Sequence, residues 1–145
     1  MLSLLYTSRS LLSPVDAPAQ LQAILDTAVR RNQSHDITGA LVFTGTDFAQ
    51  ILEGPEEGVA AVMASILIDP RHEEVAIVRR EEIARRSFPN WGMALIGHDP
   101  ATVAHIGAIR SAPDDAALAG AVEAVTRWMR EGSDDRRIRP GVTLR

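Results

Sequence analysis

The stretch "ITGALVFTGTDFAQILEGP", residues 37–55, predicts the centre of the fold. Two apolar runs, 37–43 and 47–54, flank a short "TGT" segment, and this pattern is typical of a β-hairpin closed by a glycine turn. Alternation along the second run places Gln50 on the same side as Phe48 and Leu52. A buried amide without partners costs about 1–3 kcal/mol. We therefore expect a polar group to meet Gln50.

The segments around this hairpin predict alternating strands and helices. "LSLLYTS", residues 2–8, is typical of a strand, and a helix should run from an N-cap at Asp16 to Arg31 or Asn32. A second helix should begin at Pro55 and end at the "DPR" segment, because the residue before a proline is disfavoured in α geometry. Residues 74–86 predict a long strand or strand pair, and residues 91–97 a final strand.

The resulting order, βαββαβ, predicts an α+β, ferredoxin-like fold with two helices on one face of a mixed sheet. Two further helices are predicted, from Pro100 to Ile109 with Asp99 as the cap, and from Asp114 to Arg130. The apolar stripe of the last helix should pack on the other face of the sheet. The chain thus divides into a core (1–97), a helical extension (98–131) and a tail (132–145), which we expect to be mobile or to contact a partner.

Composition excludes several classes of function. A net charge of −4 over 145 residues argues against a nucleic-acid-binding surface, which needs clustered Lys and Arg. Cysteine is absent, which excludes disulfides and thiolate metal sites, and the four histidines lack metal-ligand spacing. The N-terminus does not resemble a signal peptide and no apolar run could span a membrane, so we expect a cytoplasmic protein.

Four polar side chains are predicted to face one slot between the two helices and the sheet. Tyr6 and Gln50 point there from strands, Asn32 falls in the apolar stripe of the first helix, and Asp69 follows the second helix. Taken singly, Asn32 could be a helix cap, Asp69 part of an Asp-Pro turn and Tyr6 a core residue. Taken together, with Arg71 and His72 beyond them, they predict a ligand site.

Five ordered motifs carry a resemblance to a known family. They are "LLYTS", "RRNQSHDITGALV", "DFAQILEGP", "DPRH" and "RSFPNWGM", spread over residues 2–97. In this order and spacing the chain resembles a BLUF domain of the short stand-alone type, a blue-light sensor that holds a flavin between its two helices.

The resemblance implies a role for each matched position. Tyr6 would be the photoactive tyrosine, Gln50 the switching glutamine and Asn32 the flavin anchor. Residues near the flavin would also include Asp69, Arg71 and His72, while Trp91 and Met93 would lie on the strand linked to signal output. Position 31, often Asn or His in the family, is Arg31 here, and it would either reach the flavin or be solvated.

The resemblance also implies a mechanism. Light would drive an electron and then a proton from Tyr6, Gln50 would rotate or tautomerise, and the rearranged hydrogen bonds would shift the flavin absorption to the red until dark recovery. The cofactor would be FAD, with FMN or riboflavin as alternatives. A sensor of this kind is not an enzyme, so its output would go to a separate protein or through self-association as a dimer or larger oligomer.

Two other functions share the predicted fold. An acylphosphatase-like enzyme would use Arg and Asn side chains to hold phosphate and water, but the loop after the first strand lacks the glycines of a phosphate cradle. An RNA-binding module would need exposed stacking rings, and only 4% of the residues are aromatic. A visible absorption spectrum distinguishes the three, because only the photoreceptor is yellow and light-responsive.

Overall fold

One β-sheet with helices on both faces organises the protein. The computed structural model describes residues 1–89, 94–96, 100–130 and 137–138. The strands are β1 (Leu2–Ser10), β2 (Thr38–Phe43), β3 (Asp47–Gly54), β4 (His72–Glu82), β5 (Ala94–Ile96) and β6 (Arg137–Ile138). The helices are α1 (Ala17–Ser34), α2 (Glu56–Leu67), α3 (Pro100–Arg110) and α4 (Asp115–Arg130). Trp91, Met93 and Asp99, for which roles were predicted, lie outside the described residues.

The strands follow the order β4-β1-β3-β2-β5-β6. Strand β1 pairs antiparallel with both β3 and β4, β2 pairs antiparallel with β3, and β5 runs parallel to β2. The first four strands with α1 and α2 are therefore a βαββαβ unit, and the parallel pair makes the sheet mixed. The predicted α+β, ferredoxin-like fold is confirmed.

The β2–β3 hairpin forms where it was predicted. Phe43 and Phe48 face each other across the two strands with ring centroids 4.9 Å apart. Gly45 in the turn has a φ of 97°, a conformation that glycine adopts without steric cost. The register of the sheet then sets Gln50 directly opposite Tyr6 of β1.

Each face of the sheet has its own hydrophobic core. Helices α1 and α2 cover one face with residues such as Leu25 and Val62, which pack with Leu4 and Leu52 of the strands. Helices α3 and α4 cover the other face. There the buried residues include Leu5, Ala49, Ile51, Phe88, Ile106, Val122, Val125 and Met129. The predicted packing of the last helix on the second face is confirmed.

Helices α1 and α2 approach each other closely at one end. A Cβ added to Gly58, in the first turn of α2, would lie 2.4 Å from the carbonyl oxygen of His35. Any side chain at position 58 would therefore push the two helices apart, which makes glycine necessary there.

Helix α1 is longer than predicted and ends at Ser34. The backbone N–H groups of His35 and Ile37 donate to the carbonyl oxygen of Asn32, at 3.1 and 2.8 Å, and Asp36 has a φ of 56° that turns the chain. Asn32 is thus an internal helix residue. The end of the helix is set by this backbone turn, which the side-chain pattern did not reveal.

Helix α1 begins after Asp16 as predicted, but the Asp16 side chain makes no capping hydrogen bond. Its carboxylate instead accepts a hydrogen bond from Ser13 Oγ at 2.9 Å.

Two strand predictions need correction. Strand β4 ends at Glu82, so the predicted strand at 74–86 is too long at its C-terminal end. Arg137 and Ile138 form β6, which pairs antiparallel with β5, so a strand lies within the segment that was predicted as a tail. Among the described helices, none combines the length and apolarity that crossing a membrane would need.

Candidate functional site

A cavity of about 50 Å³ lies where α1 and α2 cross the sheet. Its polar lining comes from Tyr6 of β1, Gln50 of β3, Arg31 of α1, and the segment that follows α2, which contributes Asp69, Arg71 and His72. Its apolar lining includes Ile24, Leu41, Phe48 and Ile66. The structure therefore brings together most of the side chains that the sequence predicted to share one slot.

Tyr6 and Gln50 form the centre of this slot. They are direct cross-strand partners, and each is only 3% exposed. The Tyr6 hydroxyl donates a hydrogen bond to Gln50 Oε1. Because this oxygen accepts from Tyr6, the amide NH₂ of Gln50 is directed away from the phenol.

Burial keeps the Tyr6 phenol protonated. Desolvation raises the pKa of Tyr6 well above its ordinary value, and the nearby charge of Arg31 offsets this only in part, while Asp69 adds to it. The phenol therefore holds its proton and donates it to Gln50 across the whole physiological pH range.

Arg31 points a buried donor into the slot. Within the described part of the chain, its Nε atom is buried and has no hydrogen-bond partner. Burial lowers the pKa of Arg31, and the adjacent Tyr6 and Asp69 counteract that effect, but a guanidinium stays charged in either case. A buried charged donor without an acceptor is costly, so this atom suits a ligand that carries an oxygen acceptor.

Asp69 and Arg71 are paired with each other. Arg71 Nε and Nη2 donate to the two carboxylate oxygens at 2.9 and 2.7 Å, and the Arg71 backbone N–H adds a third bond at 2.9 Å. Burial acts against the charge of Asp69, but these hydrogen bonds outweigh it and hold the pKa of the carboxyl below its usual range. Asp69 thus fixes the Arg71 side chain at the edge of the slot.

His72 connects α2 to the sheet. Its Nε2 lies 2.7 Å from the carbonyl oxygen of Ile66, and its Nδ1 lies 2.7 Å from Ser8 Oγ. A carbonyl only accepts, so Nε2 carries the proton, and in the neutral ring Ser8 donates to Nδ1. Because protein groups engage both nitrogens, His72 presents its ring rather than a free donor to the slot. The ring lies 6.2 Å from those of Tyr6 and Phe48.

Asn32 occupies a different place from the other predicted residues. It is fully buried on α1, in the same stripe as Leu25 and Ala28, but it is not among the residues that line the cavity. Thr27 of α1, which the sequence analysis did not select, does line it. Its position one turn before Arg31 was the available signal.

The family model "Sensors of blue-light using FAD" matches residues 1–94 of this chain. The chain belongs to the BLUF family. This is the family that its sequence motifs indicated, and its description is that of blue-light sensors that use FAD.

Relatives and solved structures agree with this membership. The blue light- and temperature-regulated antirepressor BluF of Escherichia coli is 38% identical over 81 residues, which are 55% of this chain and 20% of that protein. The dark-state structure of BlrB, a BLUF protein, is 32% identical with a TM-score of 0.64, and the match covers 85% of this chain and 95% of that one. The ground-state structure of BlsA has a TM-score of 0.77 at 19% identity, over 97% and 93% of the two chains, which shows a shared fold.

This BLUF chain therefore spans about a fifth of the length of the curated Escherichia coli relative that it matches.

The residues of the slot fit a flavin. Its apolar walls suit a planar aromatic ring, while the Gln50 amide and the unpartnered Arg31 Nε suit the carbonyl and nitrogen atoms along one edge of that ring.

Proposed function

We propose that this slot holds the flavin ring of the BLUF sensor and that Tyr6 and Gln50 are its photoactive pair. One observation carries the proposal: the two buried side chains hydrogen-bond to each other inside the slot between α1 and α2. Gln50 thus contacts the phenol of Tyr6, and its carboxamide also lines the slot. This arrangement answers why an amide occupies the middle of an otherwise apolar strand.

The remaining side chains hold the ligand or its surroundings. Arg31 donates from Nε to a ring carbonyl, and Arg71, oriented by Asp69, binds at the edge of the slot. Asn32 lies beyond the lining of the cavity, so its proposed role as anchor requires the ligand to reach its carboxamide, which offers one donor and one acceptor. His72 contributes its ring face and fixes the spacing between α2 and β1.

A bound flavin supplies absorption of blue light and a site that takes up an electron. Tyr6 provides the electron and then its phenolic proton, which leaves along the hydrogen bond to Gln50. Gln50 responds by rotating or tautomerising, and both the electron and the proton return to Tyr6. The side chains end with the same atoms but a different hydrogen-bond pattern, which makes the pair a two-state switch.

FAD is the flavin we propose, in keeping with the family description. The ring is common to FAD, FMN and riboflavin, so the slot contacts above serve all three. Mass spectrometry of the flavin released from purified protein distinguishes them.

Signal output is proposed to occur through a separate protein or through self-association, without catalysis by this chain. Asp69 is engaged with Arg71, and both ring nitrogens of His72 are engaged with Ser8 and Ile66, which suits a hydrogen-bond switch better than turnover of a substrate. An RNA-binding role is disfavoured because α3 and α4 cover the sheet face that RNA-binding modules leave open.

The deciding experiment is the light-minus-dark absorption spectrum of the purified protein. We expect a yellow protein whose absorption shifts to the red under blue light and returns in the dark. The Tyr6→Phe variant should stay yellow and show no shift. A colourless protein that takes up no added flavin would overturn the proposal.

A further inference from the structure

A second buried polar residue lies on β3, close to Gln50 but on the opposite face. Glu53 is 2% exposed and lies opposite Ser3 of β1 and Thr38 of β2. Because side chains alternate along a strand, residues 50 and 53 point to different sides of the sheet. The proposed switch does not use Glu53, so its burial needs a separate explanation.

Glu53 binds the backbone of the segment that follows β4. Its Oε1 accepts hydrogen bonds from the backbone N–H groups of Ser87 and Phe88, at 2.8 and 2.9 Å. Phe88 is fully buried in the core beneath α3 and α4. One carboxylate oxygen therefore anchors a non-helical, non-strand stretch of chain to the strand that carries Gln50.

Arg86 reinforces this anchor from the other side of Ser87. Its guanidinium donates to Thr38 Oγ1 at 3.0 Å, to the carbonyl oxygen of Asp36 at 2.9 Å and to the carbonyl oxygen of Glu53 at 3.3 Å. The segment 86–88 is thus tied to both strands of the hairpin.

The charge of Glu53 is compensated locally. Burial raises the pKa of its carboxyl, while the two backbone N–H groups and the nearby Arg130 and Arg79 lower it. Arg79 itself donates to Ser3 Oγ at 2.8 Å. A carboxylate that accepts two backbone hydrogen bonds holds its partners at a fixed distance, since charge-assisted bonds are short and directional.

The anchored segment leads directly to the residues to which family resemblance assigns signal output. Trp91 follows Phe88 by three positions and Met93 by five. Glu53 follows Gln50 by three positions, about 10 Å along the strand. The path from Gln50 to residues 87–88 therefore runs covalently along β3 to Glu53 and then through the two hydrogen bonds of its carboxylate.

We propose that Glu53 is a positioning residue that couples movement of β3 at Gln50 to the backbone of residues 87–88. The inference rests on the proposed function of Gln50, but the hydrogen bonds of the anchor do not depend on that function. Removing the anchor should leave the red shift intact, because the Tyr6 and Gln50 face is untouched, and should uncouple residues 87–88 from light.

The test measures hydrogen exchange at the Ser87 and Phe88 amides, in the dark and under blue light, in the flavin-loaded full chain. In the wild type, illumination should change these exchange rates at least about twofold. Glu53→Ala should speed dark exchange at both amides about tenfold or more, keep the red shift, and lose most of the light-induced change. Glu53→Gln keeps an acceptor oxygen and should restore both protection and light response.

Exposed Glu82 on β4 provides the matched control, and Glu82→Ala should behave as the wild type. If Glu53→Ala does not fold, Glu53→Asp, whose side chain is one methylene shorter, should show the same loss.

A Glu53→Ala protein with wild-type dark protection, or with a wild-type light response at residues 87–88, would overturn the inference. A wild type that shifts its absorption without any exchange change there would overturn it while leaving the proposed function standing. A wild type without a red shift would instead refute the function, and the dark exchange data would still decide the anchor.

Discussion

Strand β3 buries one polar side chain on each face of the sheet, and the two make opposite kinds of contact. Gln50 meets another side chain, the Tyr6 hydroxyl, beside a cavity. Glu53 meets backbone N–H groups inside a packed core. Their burial is nearly the same, at 3% and 2% exposure, so burial alone does not distinguish a switch from an anchor.

The difference lies in what the partner can do. A phenol and an amide can exchange donor and acceptor roles by rotation about side-chain bonds, and both patterns satisfy their atoms. A carboxylate can only accept, and a backbone N–H can only donate, so the Glu53 contact has one arrangement. The Tyr6–Gln50 hydrogen bond, on the face covered by α1 and α2, can therefore rearrange. The Glu53 hydrogen bonds, on the face covered by α3 and α4, keep one geometry.

Replacement of Gln50 should have the largest effect, because it removes the side chain that is proposed to rearrange. Gln50→Leu should keep the flavin, because the apolar walls of the slot remain, and should abolish the red shift entirely, because no amide is left to rearrange. The measurement is the light-minus-dark spectrum of the loaded protein. Gln20→Leu, the same change at an exposed position of α1, should leave the spectrum unchanged. A normal photocycle in Gln50→Leu would remove Gln50 from the mechanism.

Replacement of Asn32 should have an intermediate effect, on affinity rather than on switching. Loss of a buried hydrogen-bonding amide costs about 1–3 kcal/mol, so Asn32→Ala should weaken flavin binding by roughly 5- to 150-fold. Flavin titration by fluorescence measures this. Gln33→Ala, at the exposed neighbouring position, is the control. Undiminished affinity in Asn32→Ala would mean that this residue only completes the helix.

The smallest expected effect is on stability: the contributions of Glu53 and Asp69, which lie on opposite faces of the sheet, should change with pH in opposite directions. Burial raises the pKa of Glu53, so the folded state binds that proton more tightly than the unfolded chain, and the stability contributed by Glu53 falls as pH rises above about 4.3. Burial raises the pKa of Asp69, but the hydrogen bonds and charge of Arg71 lower it further, so the net shift is downward. The stability contributed by Asp69 is therefore present above about pH 3.9 and is lost as pH falls through the pKa of the folded state.

Denaturant unfolding of Glu53→Gln and Asp69→Asn between about pH 3 and pH 7 checks these signs. The free energy of unfolding of the wild type minus that of Glu53→Gln should decrease with pH, and the corresponding difference for Asp69→Asn should increase. Glu82→Gln, at an exposed position of the edge strand β4, is the matched control substitution. Slopes of the same sign for the two variants would contradict the distinction between the faces.

The face with Gln50 was largely predictable from the sequence. The alternation around Gln50 and the helical spacing of α1 depend on local periodicity, and the hairpin is marked by its glycine turn. Periodicity fixes which face a side chain occupies, so the amino-acid pattern alone sufficed to assign Tyr6 and Gln50 to one slot.

The face with Glu53 was not predictable in the same way. Alternation places Glu53 on the face opposite Gln50, but its partners come from a segment 34 and 35 positions away that has no periodic pattern. The end of α1 was missed for a related reason, because a left-handed Asp36 and backbone hydrogen bonds to Asn32 set it. Strand β6 has only two residues, which is too short for a periodic pattern in the sequence. It forms by pairing with the edge of β5, a long-range contact that the local sequence does not reveal.

Strand β1 is held by neighbours on both sides, β3 and β4, along most of its length. A slip of register at Tyr6 would break its pairs with both neighbouring strands at once, so we expect light to leave the pairing of β1 in place. A change that keeps this pairing does not require the domain to open. Repeated flashes should therefore cause no cumulative loss of native material, and the photosensor should be resistant to fatigue.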